Sequence, residues 1–472
     1  MRRQSSRVSI RQRTMEACGL RYVERVTDNK ARLVLLTVGL LSILTFLVIR
    51  LPRAQDTLLS TDGPGYVAYL RSVVFDGDLD FRNDYAHFGW YEEQCVECAP
   101  TTTGLAGNAC STGPAVLWAP FYLLAHVISR ALYAVGIVTV LDGWGLMYES
   151  AICIGTIVYV GLGCFLTYSL CRRYYSPFAS LLAVLGIYLG STLIHYTVAA
   201  GANSHAPSFF AVALFLWLWH PPRQRMLREW LLLGLSAGLM AMVRWQDILY
   251  VTVLAPEVIG AILARDAGQR PARLKEYTIG ILAAAIMAGL AFLPQALAWQ
   301  VLYGSPIAVP QGRFFLDWLH PVLLPDLFST RHGLFTWHPI FLLATAGLAL
   351  LWRRNAKVAL ALALPLLLTW YVNSICSDWS WQSSFGERRF TSAAVIFALG
   401  IASLTDYLNA RSHRGQLALT GVVIALVGWN FLFEMQFSWG FIPHNEAISV
   451  HQLTLGKFEM LATLIRQALG RL

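Results

Sequence analysis

Apolar residues fall along this chain in long blocks broken by short polar turns. Leu33 to Val48, Ala151 to Leu170 and Ile279 to Leu297 run for roughly 16 to 22 residues almost without charge, the length a bilayer core requires. They read as helices, because within lipid the backbone must satisfy its own hydrogen bonds and the alternation of a barrel strand is missing. The pattern predicts eleven spans, near residues 33–51, 149–170, 177–195, 206–219, 230–245, 248–264, 277–299, 338–352, 357–374, 390–405 and 416–434. The expected fold is therefore all-α: a polytopic membrane protein of about eleven transmembrane helices, with interfacial helices in a large first outer loop. No repeat of roughly 20 to 50 residues recurs, and no duplicated halves are visible.

Composition agrees. Of 472 residues, 56% are hydrophobic and only 13% charged, which excludes a soluble globular protein of this length. The net charge of +9 would suit a nucleic-acid binder, but its lysines and arginines sit in short clusters between apolar runs. The positive-inside rule accounts for them. Arg2, Arg3, Arg7, Arg11, Arg13, Arg21, Arg25, Lys30 and Arg32 precede the first span and place residues 1–32 in the cytoplasm. No small-residue cleavage site follows that span, so it reads as an anchor. Later basic turns, at Arg172-Arg173, Arg223 to Arg228, Arg265 to Lys275, Arg353 to Lys357 and Arg411 to Arg414, should share the cytoplasmic face.

That constraint decides how Pro114 to Val140 is read. If it crossed once, every later basic turn would change sides. Its run from Pro114 to Ala125 is short and is followed by His126, Arg130 and Asp142, so helices lying in the outer interface are expected there. Residues 33–434 then form the membrane domain, with the loop 52–148 outside, and 435–472 an outer tail. The inner loops are short and basic, whereas the long acidic and aromatic loops collect on one face, where a rigid scaffold can position functional residues. Among the outer cysteines, a disulfide closing Cys95 or Cys98 on Cys110 fits an oxidising space, and the alternative CxxC metal half-site lacks a second half.

Candidate chemistry begins just beyond the first span. Thr61-Asp62-Gly63-Pro64-Gly65-Tyr66 opens the first outer loop, and Tyr66, Tyr69, Leu70, Val73 and Val74 follow at helical spacing. Asp62 is thereby held at the membrane surface. Asp76 to Asp84 is rich in carboxylates but lacks the glycine and glutamate of a calcium loop, so it reads as a solvated acidic turn. Arg244, Arg331, Arg388 and Arg389 all fall at outer span ends.

Asp62-Gly63-x-x-Tyr66 with Arg71, Gly113-Pro114-Ala115-Val116-Leu117-Trp118-Ala119-Pro120-Phe121, Gly238-Leu239 to Arg244-Trp245-Gln246-Asp247, Leu327 to Leu334 and Ser384-Phe385-Gly386-Glu387-Arg388-Arg389-Phe390 carry a resemblance. Together they resemble the GT-C membrane glycosyltransferases, in particular the branch of protein mannosyltransferases and lipid A aminoarabinose transferases. The resemblance covers nearly the whole chain by topology, although each motif is short. It implies inverting transfer of a sugar from a polyprenyl-phosphate carrier to a glycan, lipid or protein acceptor on the outer face. The setting it implies is a bacterial inner membrane, with no nucleic acid involved and no cofactor beyond a divalent metal left open. Two departures stand out: His195-Tyr196 to Asn203-Ser204-His205 offers no second carboxylate, and the large soluble C-terminal domain of many members is missing.

The residue types suit that chemistry. An acceptor hydroxyl needs a base, which Asp62 can supply, and a departing phosphate gains charge that guanidinium groups stabilise. Arg244, Arg331, Arg388 and Arg389 are the expected phosphate ligands, with Tyr66, Arg71, His205, His332 and Glu387 as further substrate-binding candidates. Each has a structural alternative: Asp62 as a helix cap, the arginines snorkelling to headgroups, His195, His205 and His332 as interfacial plugs. Glu257 lies deep in a span and is expected to face the bundle. The rival functions are a transporter or flippase of a lipid-linked substrate, and a non-catalytic receptor for lipid-linked sugars.

Overall fold

The apolar blocks become helices. The structure, a computed structural model, describes residues 26–59, 62–90, 98–220, 224–263, 270–312, 314–377 and 383–469. The basic segment up to Arg25, together with Cys18 and Cys95, lies outside the described residues. The first membrane helix is α1 (Val26–Arg53), followed by two short loop helices, α2 (Gly63–Arg71) and α3 (Arg82–His87). Next come α4 (Gly113–Ala134), α5 (Leu146–Cys171), the bent pair α6 (Pro177–Gly190) and α7 (Thr192–Ala199), α8 (His205–Trp219), α9 (Leu227–Val243) and α10 (Trp245–Ile262). The second half holds α11 (Arg270–Tyr303), the short α12 (Leu323–Phe328) and α13 (Leu334–Trp337), α14 (Ile340–Arg354), α15 (Ala356–Ser374), α16 (Arg388–Arg411) and α17 (His413–Ser438). The chain closes on α18 (Val450–Leu453) and α19 (Gly456–Leu469).

This is an all-helical integral membrane protein; among the described residues β-pairing is confined to two isolated bridges. Eight described helices are long and apolar enough to cross a bilayer, nine if the pair α6 and α7, bent by 66°, counts as one span. Each expected span coincides with a helix, but α8, α9 and α14 have only 15, 17 and 15 residues, so length alone does not fix the count at eleven.

Two ends of the bundle are defined by polar contacts. At one end, Arg172 pairs with Asp28 at 2.9 Å, Arg225 with Glu257 at 2.7 Å, and Ser176 donates to Asp406 at 2.6 Å. Glu257 thus faces the bundle as expected, bonded also by the Trp219 indole at 2.8 Å. The opposite end holds the cavity described below. Helix α4 is a single helix rather than several, with Pro120 inside it, and it is one of the eight long enough to span. Its neighbours keep it at the cavity end. Ser111, just before it, donates to the carbonyl of Val243 at the last turn of α9, and Tyr159, Thr156, Tyr148 and Met147 of the first half of α5 contact Leu117, Trp118, His126 and Ser129 in turn. As α4 advances it therefore moves toward the start of α5, away from the basic end. Reporter fusions after Gly104 and after Gly136 should accordingly label the same side of the membrane; labels on opposite sides would mean that α4 crosses.

Close helix contacts rest on small residues, as expected where lipid removes the hydrophobic drive between helices. A Cβ on Gly234 would stand 2.6 Å from Ala284 Cα, and one on Gly238 2.7 Å from Ala291 Cβ, so the Gly-x-x-x-Gly face of α9 seats α11 directly. Gly347 of α14 and Gly400 of α16 meet backbone to backbone in the same way. Gly234→Leu should overpack this seam, cost about 1–3 kcal/mol or more, and lower the thermal midpoint of the detergent-solubilised protein by several degrees. An unchanged midpoint would mean that α9 and α11 are not so closely packed.

Candidate functional site

Asp62 occupies the N-cap position of α2, yet its side chain makes no capping bond. Its carboxylate instead meets the Arg388 guanidinium at 3.2 Å, with Asp62 about one third exposed and Arg388 largely buried. The helix-cap role therefore does not account for the side chain. The pair sits at the edge of a cavity of about 170 Å³ walled by Asp62, Tyr66, His205, Arg244, Arg388 and Arg389. These residues come from four separate stretches of chain. Among the described residues lining it, Asp62 is the only carboxylate, against three arginines.

Each wall is held in place by local structure. Arg244 follows the last turn of α9 in extended conformation, φ −147° and ψ 118°, where the chain breaks before α10. Gly113 lets the start of α4 pack directly on this break, because a Cβ there would strike the backbone of Met242 and Val243. Arg244 contacts His205, and Asp247, buried three residues later and bonded by Ser208, lies beside it as counter-charge. His205 opens α8 with its backbone N–H donating to Asn203 at 2.9 Å, while the Tyr66 hydroxyl donates to Ser204 at 2.8 Å.

The arginine segment is anchored by Phe385. That ring is fully buried among Trp337, Phe433, Phe437, His338 and His195, and its backbone N–H donates to the Tyr196 hydroxyl at 3.0 Å. Gly386 follows at φ +66°, where a Cβ would crowd the His338 ring and Thr192. Glu387 then caps the helical turn of Arg388–Ala393 by accepting the Arg389 N–H at 3.2 Å. Across the mouth, residues 315–322 are pinned to the end of α15: Asp317 N–H donates to Ile375 O at 2.8 Å and Ser377 N–H to Phe315 O at 2.9 Å. This brings Gln311 and Phe315 over the cavity.

The other expected site residues lie elsewhere. Arg71 pairs with Asp76 and, at 3.4 Å, with Asp84, and donates to the Asp142 carbonyl at 3.1 Å, so it ties the first loop together. Asp76 and Asp78 of the acidic turn are exposed as expected, whereas Asp84 is buried, and burial pushes its carboxyl up to about 7. Arg331 and His332 form a tight turn outside the cavity wall, with His332 at φ +68°. Burial pushes His332 down to about 4, leaving it neutral, and its Nε2 donates to the His444 carbonyl at 3.1 Å. Glu387 stands behind the wall rather than in it. His195 is engaged by Glu434 at 2.9 Å. The disulfide expected on Cys110 is not formed: Cys110 keeps its thiol, packed into the space left by Gly65, whereas Cys98 is disulfide-bonded. Among the described residues no cluster of three His, Cys, Asp or Glu stands ready for a metal ion.

The sequence reading missed Asn108, Gln246, Gln311, Trp90 and Trp245, which add amide and aromatic surface to the cavity. Trp245 and Gln246 stood next to Arg244 in a quoted motif, which was the available signal.

No family model matches the sequence, and no curated protein matches it. Among solved structures, the archaeal oligosaccharyltransferase AglB from Archaeoglobus fulgidus, in complex with an inhibitory peptide and a dolichol-phosphate, is similar at 12% identity with a TM-score of 0.51. The match covers 89% of this chain and 56% of AglB, so the chain spans little more than half that protein's length. ArnT from Cupriavidus metallidurans, bound to undecaprenyl phosphate, matches at 16% identity, covering 86% of this chain and 68% of ArnT, with a TM-score of 0.48. The likeness is one of fold: the chain shares the fold of the matched part of AglB.

Proposed function

We propose that the chain transfers a sugar from a polyprenyl-phosphate carrier to an acceptor hydroxyl, with inversion, in the cavity walled by Asp62 and three arginines. The observation that carries this reading is the ion pair of Asp62 and Arg388 in a cavity that also holds Arg244 and Arg389. The acceptor oxygen attacks the anomeric carbon while its proton passes to the Asp62 carboxylate. The bond from that carbon to the phosphate oxygen breaks, and the phosphate leaves with the electron pair. The growing charge on the phosphate meets guanidinium groups, whose forked donors match its oxygens. A guanidinium carries five N–H donors, so Arg388 can hold Asp62 and a phosphate oxygen together.

The cavity end of the bundle is the outer, periplasmic face in this reading, because the basic turns gather at the opposite end. A donor that must be used outside the cytoplasm travels on a lipid phosphate. The transporter reading has less support, since Glu257, the carboxylate it would use, is tied to Arg225 and Trp219 at the basic end. Proteoliposomes given a panel of radiolabelled polyprenyl-phosphate sugars and a native lipid extract as acceptor should yield labelled product without net movement of carrier. Carrier movement without transfer would replace the enzyme with a flippase.

A further inference from the structure

Asp326 on α12 is 1% exposed, yet neither of its carboxyl oxygens receives an N–H or O–H from the described residues. The neighbouring acidic group is the carboxyl of Glu387, itself 3% exposed. Ionised carboxylates only accept, so two of them side by side away from water repel, and the Asp326 oxygens stay unsatisfied. A single proton between them removes both penalties. Glu387 also accepts the backbone N–H of Arg389, whose side chain lines the cavity.

We propose that Asp326 and Glu387 share one proton and act as a positioning pair that holds Arg389 toward the cavity. This rests on reading Arg389 as a ligand of the carrier phosphate. With one proton the pair carries a single negative charge against the Arg389 cation. Without it, two negative charges stand behind Arg389, draw its guanidinium back and repel an incoming phosphate. Burial raises the Asp326 carboxyl well above the usual carboxylate range, Glu387 adds to that, and Arg389 opposes it. The sign follows: the pair keeps its proton at low and neutral pH and loses it on the alkaline side, so phosphate binding weakens as pH rises. Stability has the same direction, because the contribution of a raised carboxyl is complete below its unfolded-state value and is lost as pH rises through its folded-state value.

Among the described residues, His205 of α8 faces the arginine segment that carries Glu387. Arg388 and Arg389 lie on the arginine segment, and Arg331 and His332 on the turn that follows α12. Of the elements packed on α12, α13 has no titratable side chain, and α15 has Tyr371, whose hydroxyl donates to Trp318 O at 2.8 Å, and Lys357 in its first turn.

The experiment measures binding of undecaprenyl phosphate to the detergent-solubilised protein between about pH 6 and 10, with thermal midpoints over the same range. Wild type should lose about tenfold in affinity on the alkaline side, the size of one charge interaction. Asp326→Asn replaces the shared proton by a permanent amide donor, so its affinity should become independent of pH, and the alkaline fall in thermal midpoint should vanish. Asp326→Leu, which offers no donor, should bind weakly at every pH. An Asp326→Asn profile that keeps the wild-type alkaline loss in affinity and midpoint would overturn the proposal. Failure of wild type to bind undecaprenyl phosphate at any pH would count against the carrier reading instead, and the midpoints of wild type and Asp326→Asn would then decide for or against the shared proton alone.

Discussion

Asp62→Asn is expected to lower sugar transfer by roughly two to four orders of magnitude while the protein folds and inserts normally. Amide and carboxylate are nearly isosteric, so the cavity keeps its shape, but the amide cannot take the acceptor proton. The structure sharpens this expectation in two ways. A helix cap would tolerate Asn as well as Asp, and the Asp62 side chain makes no capping bond. The same side chain is the ion-pair partner of Arg388, so its neutral replacement leaves that guanidinium more available to phosphate. Binding of undecaprenyl phosphate should therefore hold or tighten in Asp62→Asn as turnover collapses. Asp62→Glu should recover little, because the longer side chain displaces the base by about an ångström. Initial rates in proteoliposomes at matched protein content provide the test, and near-normal transfer by Asp62→Asn would remove the base assignment.

Arg388→Gln should lower turnover by roughly a hundred- to a thousandfold, the usual cost of deleting one preorganised donor to a developing anion. It also strips Asp62 of its partner, so the loss includes misplacement of the base. Arg388→Lys should recover only part, since an ammonium keeps the charge without the fork. Arg331→Lys is the informative contrast. Arg331 shares a predicted depth with Arg388 in the sequence but stands outside the cavity wall, so transfer should stay within about twofold of wild type. Equal losses in both lysine variants would mean that the phosphate site reaches beyond this cavity.

The comparison of Arg331 with Arg388 marks where the sequence stops informing. Hydrophobic block length is a local property, so the helices and the loop holding Asp62 are legible in the sequence. Which arginines converge depends on how the bundle closes, and Asp62 and Arg388 lie more than three hundred residues apart. Helix α4 was read as shorter pieces because His126 and Arg130 interrupt its apolar run, yet both are accommodated at the cavity end, His126 beside Tyr148. The pairing of Asp326 with Glu387 left no trace in the pattern: Glu387 stood out as a substrate-binding candidate, but Asp326 alone reads as an ordinary loop residue. In the acidic turn Asp76 and Asp78 are exposed as expected, and the burial of Asp84, 3.4 Å from Arg71, is a contact that spacing does not specify.

The most direct measurement is a cryo-electron microscopy structure of the protein with undecaprenyl phosphate in a lipid nanodisc. The account predicts phosphate density in the cavity within about 3 Å of guanidinium nitrogens of Arg244, Arg388 and Arg389, with the Asp62 carboxylate facing the far side of the sugar position. Phosphate density held by Arg331 or by the basic end of the bundle, with this cavity empty of it, would contradict the account.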